Sequence, residues 1–255
     1  MKDEAAISRH GFNNDGLAKG LERLAVKKKR SGLVGINLGI NKDSKTPIAD
    51  YVDSIIRASA YGDYITVNIS SPNTEGLTEL QNANNLDCLL KEIYKIKRSP
   101  LHDKKVPPIL LKVAPDITNK MIEDIINLAL KYKIDGLIVG NTTISRPSSL
   151  QDHCKNEAGG LSGKPLFEIS TKILAQFYIL SEGRINLIGS GGVDGVATAY
   201  AKIKAGASLV QIYTGLMYHG PELFGIIFNG LGNSLREDGF GNIKDAIGVD
   251  AHIWN

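Results

Sequence analysis

Tyr64-Ile65-Thr66-Val67-Asn68-Ile69-Ser70-Ser71-Pro72-Asn73-Thr74 is the stretch on which the reading of this chain turns. Its first half is a short run of β-branched and other apolar residues, which predicts a buried strand; its second half consists of turn formers and small polar groups. Chemistry is therefore expected where the strand stops. Asn68, Ser70, Ser71, Asn73 and Thr74 carry amide and hydroxyl groups that both donate and accept hydrogen bonds, and Pro72 fixes the turn that presents them. A flat, polar, nitrogen-rich ligand suits such a set. Taken alone, the same residues also suit an ordinary loop whose Ser and Asn cap the next helix.

Working outward, the pattern is strand, loop, helix, repeated. Strands are predicted at Leu33 to Leu38, Tyr64 to Ile69, Pro108 to Val113, Gly136 to Val139, Asn186 to Gly189 and Ser208 to Tyr213, each rich in Val, Ile and Leu, as expected for strands buried on both faces. Apolar residues at three- and four-residue spacing predict helices at Asp15 to Lys29, Ile48 to Ala60, Asn85 to Lys97, Asn119 to Lys131, Glu168 to Leu180, Val196 to Ala205 and Glu222 to Arg236. Met1 to Asn13 reads as a polar lead-in. Alternation of this kind gives an α/β fold with a parallel sheet and right-handed crossovers. About six strand–helix units are present, whereas a closed barrel needs eight. If the sheet curls into a β/α (TIM) barrel it is an incomplete one, with Leu33 to Leu38 at an unpaired edge.

The chain has 255 residues and no Pro/Ser-rich linker, which suits a single domain. Its 30 basic and 27 acidic residues leave a net charge of +3, too mild to imply a nucleic-acid partner. The run Lys27-Lys28-Lys29-Arg30 is expected to be a solvated helix end. Cys88 and Cys154 are far apart and match no metal spacing, the five His residues are scattered, and neither a disulfide framework nor a metal site is expected. No window approaches the ~20 apolar residues of a membrane span, so this chain by itself is expected to be soluble.

Asn68-Ile69-Ser70-Ser71-Pro72-Asn73-Thr74, with Gly76-Leu77 and Leu80-Gln81, resembles the active-site loop of the dihydroorotate dehydrogenases of the quinone-linked class 2 branch. Further segments resemble that family in its own order: Val34-Gly35-Ile36-Asn37-Leu38-Gly39, Leu111-Lys112-Val113-Ala114-Pro115-Asp116, Asn141-Thr142-Thr143, the glycine-rich run from Gly159 to Leu166, Gly189-Ser190-Gly191-Gly192-Val193, and Gly206 to Thr214. The resemblance runs from about Ala5 to the end of the chain. It implies an FMN-linked oxidoreductase barrel that converts dihydroorotate to orotate in pyrimidine biosynthesis and passes electrons to a quinone. It further implies a peripheral location at the mitochondrial inner membrane or the cytoplasmic face of the bacterial plasma membrane. About two family strands, a flavin-binding Ala-Gly-Phe segment, a substrate-contacting lysine and the amphipathic segment that meets the membrane have no counterpart in this sequence. Weak or absent FMN binding is expected of the chain as it stands.

Pattern alone puts Asn37, Asn68 to Asn73, Lys112, Asn141-Thr142, Gly191-Gly192 and Tyr213-Thr214 at the C-terminal ends of predicted strands, where barrels build active sites. The resemblance adds roles. Ser71 matches the catalytic base, a poor one at its ordinary pKa that needs a relay for its proton; class 1 enzymes have cysteine there. Asn68, Asn73, Asn141 and Thr142 match residues that hold the orotate ring and carboxylate, and Arg9, Gly11 and Phe12 lie in the matching substrate loop. That loop begins with an asparagine in the family and with Ser8 here. Asn37, Asn68, Lys112, Gly140, Gly163, Gly191, Gly192, Tyr213 and Thr214 match the FMN set, Lys112 facing the flavin's N1–C2=O edge. Without such an anion, a lysine at that place would reach past the rim to solvent. Gly189-Ser190-Gly191-Gly192 is not a dinucleotide fingerprint, because Asp194 stands where G-x-G-x-x-G has its last glycine. Two other readings stay open: a catalytically incompetent fragment that keeps a substrate-like cleft, and a class 1 type enzyme using a soluble acceptor.

Overall fold

A computed structural model describes residues 2–26, 31–41, 44–74, 76–99 and 106–254. Its strands are β1 (Ala5–Ser8), β2 (Gly35–Leu38), β3 (Tyr64–Asn68), β4 (Ile109–Val113), β5 (Gly136–Val139), β6 (Gly160–Gly163), β7 (Leu187–Ser190) and β8 (Leu209–Gln211). The helices are α1 (Leu17–Val26), α2 (Pro47–Ala58), α3 (Ala83–Arg98), α4 (Asn119–Lys131), α5 (Phe167–Leu180), α6 (Val196–Lys204), α7 (Thr214–His219), α8 (Glu222–Glu237) and α9 (Ile243–Ala246). The expected solvated helix end at Lys27-Lys28-Lys29-Arg30 lies outside the described residues.

Six strands form one parallel sheet in the order β2-β3-β4-β5-β7-β8. Between neighbours the helices run along its outer side, so each strand's C-terminal end faces the same rim. The sheet does not close: β2 is one edge and β8 the other, which is the expected incomplete barrel with the segment from Leu33 at an unpaired edge. Openness also corrects one expectation. In β4, Ile109, Leu111 and Val113 are fully buried against helices while Leu110 and Lys112 on the other face are only partly covered, and β2 and β8 expose still more. A barrel lacking part of its wall leaves its interior face accessible.

Two strands lie outside this pattern. Ala5–Ser8, expected as polar lead-in, pairs antiparallel with Gly160–Gly163, Ser8 opposite Gly160 and Ala5 opposite Gly163. This flap is tied down on both flanks. Asn73 Nδ2 donates to the Ser8 carbonyl (2.9 Å), Tyr218 Oη to the Ala5 carbonyl (2.7 Å), and Lys164 Nζ pairs with the Glu4 carboxylate (3.1 Å).

The main core lies between sheet and helices, with Tyr51, Ile55, Leu89, Leu90, Ile93, Ile125 and Phe177 meeting Ile65, Val67, Ile109, Leu111 and Leu137. Thr118 caps α4 by accepting from the Met121 N–H (3.3 Å). At the C-terminus Trp254 packs edge-on against Phe167, ring centroids 5.8 Å apart, closing the end of α5.

Candidate functional site

All six parallel strands deliver polar residues to one rim because each stops where its apolar run gives way to Asn, Ser, Gly, Lys or Gln. A cleft of about 370 Å³ opens there, lined from the sheet by Asn37, Asn68, Lys112, Gly140, Asn141, Ser190 and Gln211 and from the flap by Ser8, Ser162 and Gly163. Register explains the convergence: Asn68 sits directly opposite Lys112 across the β3–β4 ladder, and Ser190 opposite Gln211 across β7–β8.

At the end of β3 the buried Asn68 anchors the turn. Its Oδ1 accepts from Ser70 N (3.2 Å) and Ser70 Oγ (2.8 Å), and Asn141 Nδ2 reaches Ser70 Oγ (2.9 Å). From below, Tyr51 Oη donates to the Asn68 carbonyl at 2.7 Å. Asn68 Nδ2 is left without a hydrogen-bond partner among the described residues, at a position lining the cleft. Ser71 is buried and lines the cleft, its Oγ accepting a long hydrogen bond from the Asn73 N–H (3.4 Å).

Lys112 lines the same cleft and has no ion-pair or hydrogen-bond partner among the described residues. Loss of hydration holds its ammonium below the usual lysine range. A cation in that state favours an anionic or electron-rich ligand edge.

Across the cleft, β7 ends in a turn in which Gly191 and Gly192 both have positive φ, +99° and +70°. A side chain at either would strike the start of α5: a Cβ on Gly191 comes 2.8 Å from Ser170 Oγ, and one on Gly192 comes 2.5 Å from the Phe167 Cα. Only glycine therefore permits the turn to press against α5 while its backbone N–H groups border the cleft. Beside it, Thr214 Oγ1 donates to Ser162 Oγ (2.9 Å) and Tyr213 is 81% exposed at the open edge of the sheet.

Of the residues singled out from sequence, Ser71, Asn68, Asn73, Asn141, Thr142, Gly11, Phe12, Asn37, Lys112, Gly140, Gly163, Gly191, Gly192, Tyr213 and Thr214 all border this cleft. Arg9 does not; it lies on the surface with Glu157 (3.0 Å) and lines a neighbouring cavity of about 800 Å³ between α1, β2 and α2. Asn73, expected to hold substrate, lines the cleft while its Nδ2 donates to the Ser8 carbonyl. Sequence reasoning missed Tyr51, Tyr218 and Arg146, whose guanidinium donates to the carbonyls of Glu157 (2.6 Å) and Gly159 (2.7 Å) and so shapes the approach to β6. Arg146 lies three residues after Thr143, in a loop with no periodicity to mark it.

A family model described as dihydroorotate dehydrogenase matches residues 1–235. Among curated relatives, a dihydroorotate dehydrogenase (quinone) of Parvibaculum lavamentivorans is 46% identical over 249 residues, covering 98% of this chain and 70% of that protein. One from Rhodopseudomonas palustris (strain HaA2) is 44% identical over 251 residues, covering 98% and 69%. Among solved structures, an Eimeria tenella dihydroorotate dehydrogenase in complex with ferulenol superposes with a TM-score of 0.89 at 37% identity, covering 98% of this chain and 72% of that one.

Proposed function

Because the chain belongs to the dihydroorotate dehydrogenase family, we propose that its cleft serves the oxidation of dihydroorotate to orotate with FMN as cofactor and a quinone as final acceptor, in pyrimidine biosynthesis. The observation that carries this reading is the convergence on one cleft of three donor sets on separate strands: the Asn68–Asn141 cluster with Ser71, the unpaired Lys112, and the Gly191-Gly192 turn.

The donors fit the cofactor. An open glycine turn suits a phosphate, and the unpartnered Lys112 ammonium and Asn68 amide suit the carbonyl and nitrogen edge of a flavin. When bound, the flavin supplies a two-electron acceptor for hydride. The chain's own residues do the rest. Asn68, Asn73, Asn141 and Thr142 hold the ring and carboxylate of the substrate, and the buried Ser71 Oγ takes the C5 proton. Its hydroxyl must release its own proton to a hydrogen-bonded acceptor as it does so, and the Asn73 N–H at 3.4 Å stabilises the oxygen as it becomes negative. Lys112 provides positive charge where electron density accumulates. Serine at this position, and the quinone in the relatives' names, favour a quinone over a soluble acceptor. None of the described helices is long and apolar enough to cross a membrane.

For the chain as given we expect weak FMN binding, because strands flanking β2 and β8 would supply the remaining flavin contacts; each absent hydrogen bond weakens binding by about 0.5–1.5 kcal/mol. The test is rapid anaerobic mixing of FMN-loaded protein with dihydroorotate. Ser71→Ala should slow flavin bleaching by about a hundredfold or more. Unchanged bleaching in that variant removes Ser71 from its role.

A further inference from the structure

Behind the glycine turn lies a second buried lysine that the mechanism leaves unused. Lys202, on α6, has no solvent exposure, and its Nζ sits 2.6 Å from Ser170 Oγ on α5 and 5.4 Å from the centre of the Phe167 ring. Its stem passes under the end of β7, where a Cβ on Gly189 would come 3.1 Å from the Lys202 Cδ. No charged side chain on α5, α6, β7, β8 or α8 pairs with it or perturbs it; burial alone pushes its ammonium well below the ordinary range.

The hydrogen bonds run in one direction. Lys202 Nζ donates to Ser170 Oγ, which leaves the Ser170 hydroxyl proton to be given to a carbonyl. Three carbonyls lie within reach: Leu166 at 2.9 Å, Phe167 at 3.1 Å, and Gly191 at 3.1 Å in the turn itself. Lys202, Ser170 and Gly191 thus form a continuous line from a buried amine to the turn that borders the cleft.

We propose that Lys202 is a positioning residue for the Gly191-Gly192 turn: through Ser170 it fixes the Gly191 carbonyl away from the cleft and sets behind the turn a buried amine that an anion across it keeps protonated, which makes the turn select a ligand bearing a phosphate. This rests on the FMN reading above and says which residue outside the cleft makes its phosphate end specific. A buried cation without a carboxylate is costly unless an anion compensates it, and a phosphate held on the far side of one glycine turn is close enough to do so in a low-dielectric interior. Lys112 answers the other end of the ligand.

The experiment compares FMN with riboflavin, which lacks the phosphate, by fluorescence titration of the full chain and of Lys202→Met, Lys202→Gln and Ser170→Ala, with inorganic phosphate as competitor. Lys202→Met and Lys202→Gln should lower the ratio of FMN to riboflavin affinity by about tenfold or more and blunt competition by phosphate, with riboflavin affinity moving less than about twofold. Ser170→Ala should lower the ratio about threefold, and it carries the test if either lysine variant fails to fold. An unchanged ratio, or parallel weakening of both ligands, overturns the proposal and leaves the cofactor reading standing. Binding of neither ligand, by the unsubstituted chain or by that chain extended at its N-terminus with a relative's flavin-binding segment, overturns both.

Discussion

Lys112 and Lys202 share a chemistry and differ in legibility. Lys112 interrupts an apolar strand run just before Ala114-Pro115-Asp116, and that break marks it in the sequence. Lys202 does not stand out, because lysines are common in the last turn of a helix, and only the packing of α6 against α5 turns Lys202 inward while Lys204 reaches Asp250 at 2.9 Å. Burial lowers the Lys202 pKa relative to the unfolded chain, so between that lowered value and 10.5 the unfolded state binds the extra proton. Stability must then rise with pH across that window, and below it the full cost of burying the charge is present. Lys202→Met should accordingly be more stable than the unsubstituted chain near neutral pH, with the difference narrowing as pH approaches 10.5. Urea unfolding at several pH values measures it; a pH-independent difference would show that burial does not lower the Lys202 pKa in the fold.

Elements divide in the same way. All six parallel strands are readable because runs of Val, Ile and Leu, each ending at or next to Asn, Ser, Gly, Lys or Gln, state both the strand and its active rim. The flap is not. Ala5–Ser8 is four residues with no alternation to speak of, and its partner lies more than a hundred and fifty residues away, at Gly160–Gly163, so nothing local announces the pairing. Helix α7, six residues containing a glycine, is equally silent in the sequence. What holds the rim is more visible in the glycine turn, whose pressure on α5 makes a direct prediction: Gly192→Ala, forced into φ +70° with its Cβ 2.5 Å from the Phe167 Cα, should destabilise the fold by about 1–3 kcal/mol. Thermal unfolding reads it, and a change within error would mean the turn is not seated as described.

At the scale of the molecule, the unclosed sheet governs behaviour. Among the described residues β2 and β8 are edges with unpaired backbone groups, and apolar side chains are exposed beside them: Leu33 is 84% exposed and Leu209 64%. Such edges invite association between copies, and the chain should elute as concentration-dependent oligomers. The chain spans about 70% of the length of the relatives it matches, so the strands that complete the barrel in a closed relative are the natural complement to this gap. The most direct test of the central claim, that this rim is a flavin and dihydroorotate site limited by an open wall, is flavin content and bleaching in two proteins: the chain as given, and the chain extended at its N-terminus by the two strands and flavin-binding segment of a relative. The extended protein should purify yellow with FMN bound one to one and bleach on anaerobic addition of dihydroorotate, while the chain as given is colourless and binds FMN only weakly. Stoichiometric FMN in the chain as given, or an extended protein whose bound flavin stays oxidised with dihydroorotate, would contradict the account.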